Sequence, residues 1–356
     1  MITGAKRPIL SRIFLFNPAL RLGLLKSNKR LGLWPKIKAT ILEITKQYIE
    51  EAHKRIKPFI HKTPVLTSKT LDQISEAELF FKCENFQKIG AFKIRGGMNS
   101  VLSLPEEKRK KGIATHSSGN HAQAIAYAAR EVGTKAFIVM PDNSPKVKVD
   151  AVKGYGAEIF FCEPNQQARE KTLQDVVDKT SAEFIHPYNN YDVITGQATS
   201  AKELIEEIPA LDFIVAPVGG GGLLSGTLLS AHFFSPSTIV YAGEPEGAAD
   251  AILSIKNGKI EKAPFVKTIA DGLLTTLGDK TFPVIKQYVR DILTVSDEDI
   301  LAAMRLVYER MKIVIEPSGA VPLAAVLKNK PLFEGKRVGI IFSGGNVELK
   351  KLGEWF

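Results

Sequence analysis

From about residue 42 to the end of the chain, short apolar runs alternate with longer helix-period runs, and no repeat or low-complexity tract interrupts them. ELFFKCEN reads as a strand, and the segment after Lys93 as a helix. GIATHSSGNHAQAIAYAAREVG reads as a strand, a polar turn and an alanine-rich helix, with KAFIVMPDN as the next strand. KVKVDAVKGYGAEIFFCE passes from a helix through Gly154 and Gly156 into a strand. LDFIVAPVGGGGLLSGTLLSAHFF adds a strand, a glycine loop and a helix, and RVGIIFSGG ends in a buried strand that runs into a turn. In SDEDILAAMRLVYERM, Ser296 stands at a helix start with Asp299 where a capping-box acid belongs. This alternation predicts an α/β fold of parallel sheets covered on both faces by helices. In such folds ligands bind at the carboxyl ends of the strands.

The 356 residues are 44% apolar and 24% charged, enough for two domains or one large α/β unit with an insertion. The net charge of +10 suggests a nucleic-acid partner until it is located. Residues 1–41 carry nine basic residues and no acidic one, leaving 39 basic against 38 acidic residues elsewhere. The body is nearly neutral, so no basic patch for nucleic acid is expected there. The extension reads as an unstructured leader, with an organellar presequence as the alternative. Its apolar run between Arg12 and Arg21 is too short to span a membrane. Cys83 and Cys162 are too few for a disulfide framework or a zinc site, which fits a reducing, cytoplasmic setting.

Three polar, glycine-bearing turns follow strands: SSGNH (117–121), GGGG (219–222) and SGGN (343–346). Four consecutive glycines are entropically costly, and before a helix starting at about Leu223 their N–H groups form an anion cradle. The loop lacks both the dinucleotide spacing and the Lys-Ser/Thr of a P-loop, so its expected ligand is a simpler phosphate. Taken alone, SSGNH reads as a helix capped by Ser117, Ser118 or Asn120; its functional reading is a carboxylate site at a helix start. In GAFKIRGG, Lys93 lies between Phe92 and Ile94, and a lysine out of water needs a reason. Desolvation lowers a lysine pKa and makes the amine a usable nucleophile toward an aldehyde. A lysine, a phosphate cradle, an amide and a hydroxyl are the parts that hold pyridoxal 5'-phosphate.

At this point TPVLTS, FFKCENFQKIGAFKIRGG, THSSGNHAQA, MPDNSPKVKVDAVKGYGAEI, VGGGGLLSG, TIADG and FSGGN, in that order, resemble the serine racemase and serine/threonine dehydratase family. These are fold-type-II pyridoxal-phosphate enzymes, and the likeness runs from about residue 42 to the C-terminus. The resemblance implies a two-domain fold like tryptophan synthase β, each domain a largely parallel twisted sheet flanked by helices. Its large cofactor domain would be residues 42–110 and 188–356, its small mobile domain 111–187, and residues 1–41 an extension.

By the same resemblance, Lys93 would carry the cofactor as an imine and return as the base on one face. Phe92 would pack beside the ring, Asn120 would bond its phenolic oxygen, and Ser343 would face its pyridine nitrogen. A hydroxyl there does not enforce a protonated ring, which favours prompt loss of a β-substituent. Gly219, Gly220, Gly221, Gly222 and Leu223 would hold the phosphate. Ser117, Asn120 and His121, with Arg169, would seat the substrate carboxylate, and Ser118 would protonate from the face opposite Lys93. EPEGAAD matches the family's cation loop, with Glu244, Asp250 and the Ala248 carbonyl as ligands for Mg²⁺ or Ca²⁺.

Two departures stand out. Ile89-Gly90-Ala91 replaces a Thr-Gly-Ser common in the family, and Tyr188 in HPYNN brings an aromatic residue as the dehydratases do. Only ten residues follow Asn346, too few for the regulatory domain of long threonine dehydratases. The leading expectation is therefore an L-threonine/L-serine ammonia-lyase acting on a small amino acid, as a homodimer. Serine racemase, alone or combined with dehydration, is the alternative, and 3-hydroxyaspartate dehydratase comes after it. From another class, a non-catalytic amino-acid or nucleotide binder needs no such lysine.

Overall fold

The computed structural model describes residues 44–144 and 146–356, so the expectations for the basic extension lie outside the described residues. Its ten strands are β1 (Val65–Leu66), β2 (Glu78–Cys83), β3 (Ile113–His116), β4 (Ala136–Pro141), β5 (Glu158–Cys162), β6 (Glu183–Phe184), β7 (Phe213–Pro217), β8 (Ile239–Pro245), β9 (Ile292–Val295) and β10 (Arg337–Phe342). They form a six-stranded sheet in the order β1-β2-β10-β7-β8-β9 and a four-stranded sheet in the order β5-β4-β3-β6. Every pairing is parallel except that of the short edge strand β1 with β2.

The strands read as continuous apolar runs because both faces are covered. In β10, Val338, Ile340 and Phe342 pack into one core while Ile341 packs into the other. Likewise Ile214 and Ala216 of β7 face one side and Val215 the opposite one. Phe81 of β2 stacks on Phe342 of β10 with ring centres 4.8 Å apart. Between helices, the close approach is made by glycine: a Cβ on Gly196 would fall 2.5 Å from the Arg95 carbonyl oxygen. That contact seats the Tyr191–Glu207 helix directly against the Lys93–Ser103 helix.

Local signals resolve as the sequence suggests in several places. Ser296 accepts from the Asp299 amide and Asp299 accepts from the Ser296 amide, completing the capping box. Cys83 and Cys162 are free and buried. No helix among the described residues is long and apolar enough to cross a membrane. The β2–β10 register pairs Phe342 with Cys83, so the chain leaving each strand enters the same end of the sheet. β7 ends there too, at the glycine loop.

Candidate active site

Lys93 opens the Lys93–Ser103 helix, and the loop before it is zipped onto the turn after β10. The Phe92 amide donates to the Ser343 carbonyl at 3.0 Å, Ala91 pairs with Gly344, and the Gly345 amide donates to the Gly90 carbonyl at 2.9 Å. Ser343, which is buried, is thereby brought beside the lysine loop. The half-buried Lys93 amine donates to the Pro187 carbonyl at 3.1 Å and lies 5.2 Å from the centre of the Phe92 ring. Burial pulls its pKa down to about 8, against the opposing charge of Glu316. An amine with that affinity for protons is partly free near neutral pH and mostly free above about pH 8, which an ordinary lysine is not.

Two residues further on, Arg95 anchors the helix in a buried charge cluster that the sequence reading did not single out. Its Nε donates to Glu84 at 2.7 Å and its Nη2 to Glu203 at 2.8 Å, while Lys82 donates to Glu203 at 2.8 Å. Two cations face two carboxylates, which offsets the cost of taking the charges out of water. Burial pushes Glu203 up, but hydrogen bonds from His53 and Arg95 and the charges of Arg95 and Lys82 win and hold it below the usual carboxylate range.

The glycine loop fits a phosphate. Gly221 caps the Gly222–Phe234 helix with φ of +88°, and no side chain caps that helix start. The helix begins at Gly222, one residue before its expected start. A Cβ on Gly220 would fall 2.4 Å from the Tyr188 ring, so only glycine lets the chain pass there. The loop is held from behind by the Thr281 hydroxyl, which donates to the Gly220 carbonyl at 2.8 Å. Uncapped N–H groups at the positive end of a helix favour an anion.

The SSGNH turn corrects the simpler reading of its own residues. The cap of the Asn120–Glu131 helix is Gly119, and neither Ser117, Ser118 nor Asn120 caps it; Ser117 instead accepts from the Gly119 amide at 3.2 Å. A second uncapped helix start is therefore turned toward the site. Ser118 is half-buried. His121 is buried with Nε2 3.3 Å from the Ile185 carbonyl, and its Nδ1 has no partner. Burial and the charge of Lys93 hold it neutral. Because a carbonyl only accepts, Nε2 carries the proton; the ring then offers no donor to a carboxylate, and the His121 backbone amide is the group that can.

Arg169 stands on the Gln166–Thr180 helix, with a buried Nε that has no partner. Its charge acts on His116, whose pKa is lowered first by burial and then by Arg169. His116 lies edge-on to His186 at 6.0 Å, and His186 to Tyr188 at 4.6 Å. Burial and the neighbouring His116 and Lys93 lower His186 to about 4, so both imidazoles are neutral there at physiological pH.

A carboxylate the sequence reading missed completes the floor. Glu316 is buried, and both of its oxygens accept from the Asn120 Nδ2, at 2.9 and 3.2 Å. Its only sequence signal is the EPSG start of a helix, which reads as ordinary capping. Apart from this cluster, Glu244 near the end of β8 and Asp250 at the start of the Asp250–Asn257 helix are both buried. Glu244 accepts from the amides of Ala251 and Ile252, and Asp250 from that of Leu277. Burial pushes them up to about 8 and about 7, and neither has a cationic side chain bonded to it. Among the described residues no three His, Cys, Asp or Glu side chains cluster as a metal site. The expected ligand set needs only these two carboxylates with the Ala248 carbonyl, and its all-oxygen character suits a hard cation.

An amine of lowered pKa, two anion-binding helix starts, an amide and a buried hydroxyl fit a phosphorylated aldehyde. The comparisons with known proteins agree. The family model described as pyridoxal-phosphate dependent enzyme matches residues 56–344. The β-hydroxyaspartate dehydratase of Paracoccus denitrificans is 51% identical, over 85% of this chain and 96% of its own length. The serine racemase of Dictyostelium discoideum is 49% identical, over 87% of this chain and 97% of its own. Its crystal structure superposes with a TM-score of 0.83, covering 86% of this chain and 99% of that one. A threonine deaminase structure, from T.th., superposes with a TM-score of 0.81 at 40% identity, covering 86% and 99%.

Proposed function

Because this chain belongs to the fold-type-II pyridoxal-phosphate-dependent enzymes, we propose that it takes the α-proton from serine and related β-hydroxy amino acids, acting as a serine racemase that also dehydrates. The leading expectation of a threonine/serine ammonia-lyase yields to the alternative. Relatives at about half identity are a serine racemase and a β-hydroxyaspartate dehydratase, whereas the threonine deaminase stands further off.

When bound, pyridoxal phosphate supplies an electron sink that acidifies the α-carbon of the amino acid. Lys93 holds it and, once displaced by substrate, receives the α-proton; its affinity for protons near pH 8 suits both tasks. Gly219, Gly220, Gly221, Gly222 and Leu223 would hold the cofactor's phosphate, with Phe92 beside the ring, Asn120 as donor to its phenolic oxygen and Ser343 toward its ring nitrogen. Ser117, Asn120 and the His121 amide seat the substrate carboxylate. Ser118 delivers a proton from the other side, which completes racemisation, while loss of the β-hydroxyl instead gives a 2-oxo acid and ammonia. The observation that carries this reading is a half-buried Lys93 of depressed pKa beside two uncapped helix starts.

A second reading, 3-hydroxyaspartate dehydratase, is favoured by the unpartnered Arg169 Nε, which can meet a second carboxylate. Incubation with L-serine, L-threonine and the 3-hydroxyaspartates decides between them. D-serine with pyruvate is expected from L-serine. A 2-oxo acid from 3-hydroxyaspartate alone would move the assignment to the second reading, and 2-oxobutyrate formed fastest would restore the ammonia-lyase.

The proposal includes a Mg²⁺ or Ca²⁺ bound by Glu244, Asp250 and the Ala248 carbonyl. Chelator is expected to lower the melting temperature and either cation to restore it. At 100 times the dissociation constant, binding stabilises by about 2.7 kcal/mol; no change with chelator would remove the site from the account. A cytoplasmic homodimer is proposed from the resemblance and the two free thiols, and light scattering at a single-chain mass would refute the dimer.

A further inference from the structure

Glu316 sits at the cap position of the Pro317–Lys328 helix, yet its side chain caps nothing there. It is buried and forms no ion pair among the described residues, an arrangement that costs stability unless the charge is used. Its place is tightly fixed. The Glu316 amide donates to the Gly344 carbonyl at 2.9 Å, and the Tyr308 hydroxyl donates to the preceding Ile315 carbonyl at 2.5 Å. A Cβ on Gly344 would fall 2.6 Å from its Oε1, so the carboxylate presses directly on the turn that carries Ser343.

The hydrogen-bond logic around it runs in one direction. Asn346 Nδ2 donates to the Ile89 carbonyl and to Asn120 Oδ1, both at 2.8 Å. Asn120 Nδ2 in turn donates to Glu316. A carbonyl at one end and a carboxylate at the other can only accept, which fixes the rotamer sense of both amides between them. Asn120 thus keeps its oxygen turned to Asn346, and one N–H is held by Glu316. The other N–H is the only one left to reach a ligand beside Lys93.

We propose that Glu316 is a positioning residue that grips the Asn120 amide from behind, fixes it as a donor toward the cofactor's phenolic oxygen, and sets a negative charge beside Lys93. The inference rests on the assignment of Asn120 to the cofactor. The groups that face Glu316 are Asn120, Lys93, Asp271, Lys148 and Tyr308. Burial and Asp271 push its carboxyl up to about 7, against the Asn120 bond and Lys148, which itself pairs with Asp271 at 2.5 Å. Glu316 is therefore charged above about pH 7 and neutral below, and in its charged form it holds up the proton affinity of Lys93. The carboxylate connects the protonation of the lysine to the donor strength of the amide.

The test uses full-length Glu316→Gln, Glu316→Ala, Asn120→Ala and the Glu316→Ala/Asn120→Ala pair. Two quantities are read: the affinity of the apoprotein for pyridoxal 5'-phosphate, and the pH dependence of the rate at which the apoprotein captures it. Glu316→Gln keeps an acceptor for Asn120, so affinity is expected to stay within about threefold. With the charge gone, the capture profile moves to lower pH, by on the order of half a unit. Glu316→Ala is expected to weaken affinity by about tenfold or more, and to have no further effect once Asn120 is alanine. Full additivity in the double variant would overturn the proposal, as would an unmoved profile in Glu316→Gln. If Asn120→Ala leaves the affinity unchanged, the Asn120 assignment itself fails and the inference with it. If Glu316→Ala does not fold, the near-isosteric Glu316→Gln profile still decides. Because neither quantity involves an amino-acid substrate, failure here is distinct from failure of the racemase reading.

Discussion

Replacing Lys93 with alanine is expected to lower turnover by about 10⁴-fold or more while leaving the fold intact. The first part follows from the two tasks proposed for one amine, holding the cofactor and receiving the α-proton. The second part follows from where the amine sits. Its one hydrogen bond among the described residues is to the Pro187 carbonyl, and its pKa near 8 reflects burial working against the charged form. Removing it relieves desolvation, so the melting temperature of the apoprotein is expected to stay level or rise. The helix it opens does not depend on it, since Arg95 and the Gly196 contact hold that helix within the same turn. Turnover within tenfold of the unmodified chain would show that another base does the work. Lost activity together with a large fall in melting temperature would make Lys93 structural instead.

Replacing Ser118 with alanine is expected to separate two reactions. Racemisation needs a proton delivered on the side away from Lys93, so D-serine formation from L-serine should fall by about 10²- to 10⁴-fold. Dehydration needs only removal of the α-proton and departure of the hydroxyl, so pyruvate formation should fall far less. The structure leaves Ser118 free for this role, because Gly119 rather than Ser118 caps the helix. The ratio of D-serine to pyruvate, measured in the same reaction, reads the effect directly. Equal losses in both products would mean that Ser118 holds the substrate and delivers no proton.

Much of this architecture is legible along the chain because strand ends, glycine loops and helix starts are local patterns. VAPVGGGG reads as a strand entering a glycine loop before a helix, and it folds as one. The prominence of Lys93 comes from its apolar neighbours alone. Caps were less legible: Ser117, Ser118 and Asn120 all have cap chemistry, but the helix starts from Gly119 with no side-chain cap. Glu316 was invisible for another reason. It meets Asn120 across 196 residues, a contact that no local pattern in the sequence marks. The buried cluster of Arg95, Glu84, Glu203 and Lys82 is equally non-local, joining β2, the Lys93–Ser103 helix and the Tyr191–Glu207 helix.

Ile89 shows a departure whose meaning changed. In sequence it stands only as the first residue of Ile89-Gly90-Ala91, the departure in which Ala91 lacks a hydroxyl for the cofactor phosphate. In the structure it adopts φ of +59°, a left-handed backbone that a β-branched residue rarely accepts. Strain of this kind costs on the order of 1–3 kcal/mol and persists only where the surroundings insist on it. Here Asn346 holds the Ile89 carbonyl and Gln87 accepts from the following Gly90 amide, so the loop before Lys93 is fixed from both sides.

The central claim is that the cofactor is held by Lys93. Borohydride reduction of the purified holoprotein, followed by proteolysis and peptide mass spectrometry, tests it most directly, because reduction makes the lysine attachment permanent. The account predicts the cofactor mass on the peptide containing Lys93 and on no other lysine. A label on a different lysine, or none on a protein that retains its visible absorption, would contradict it.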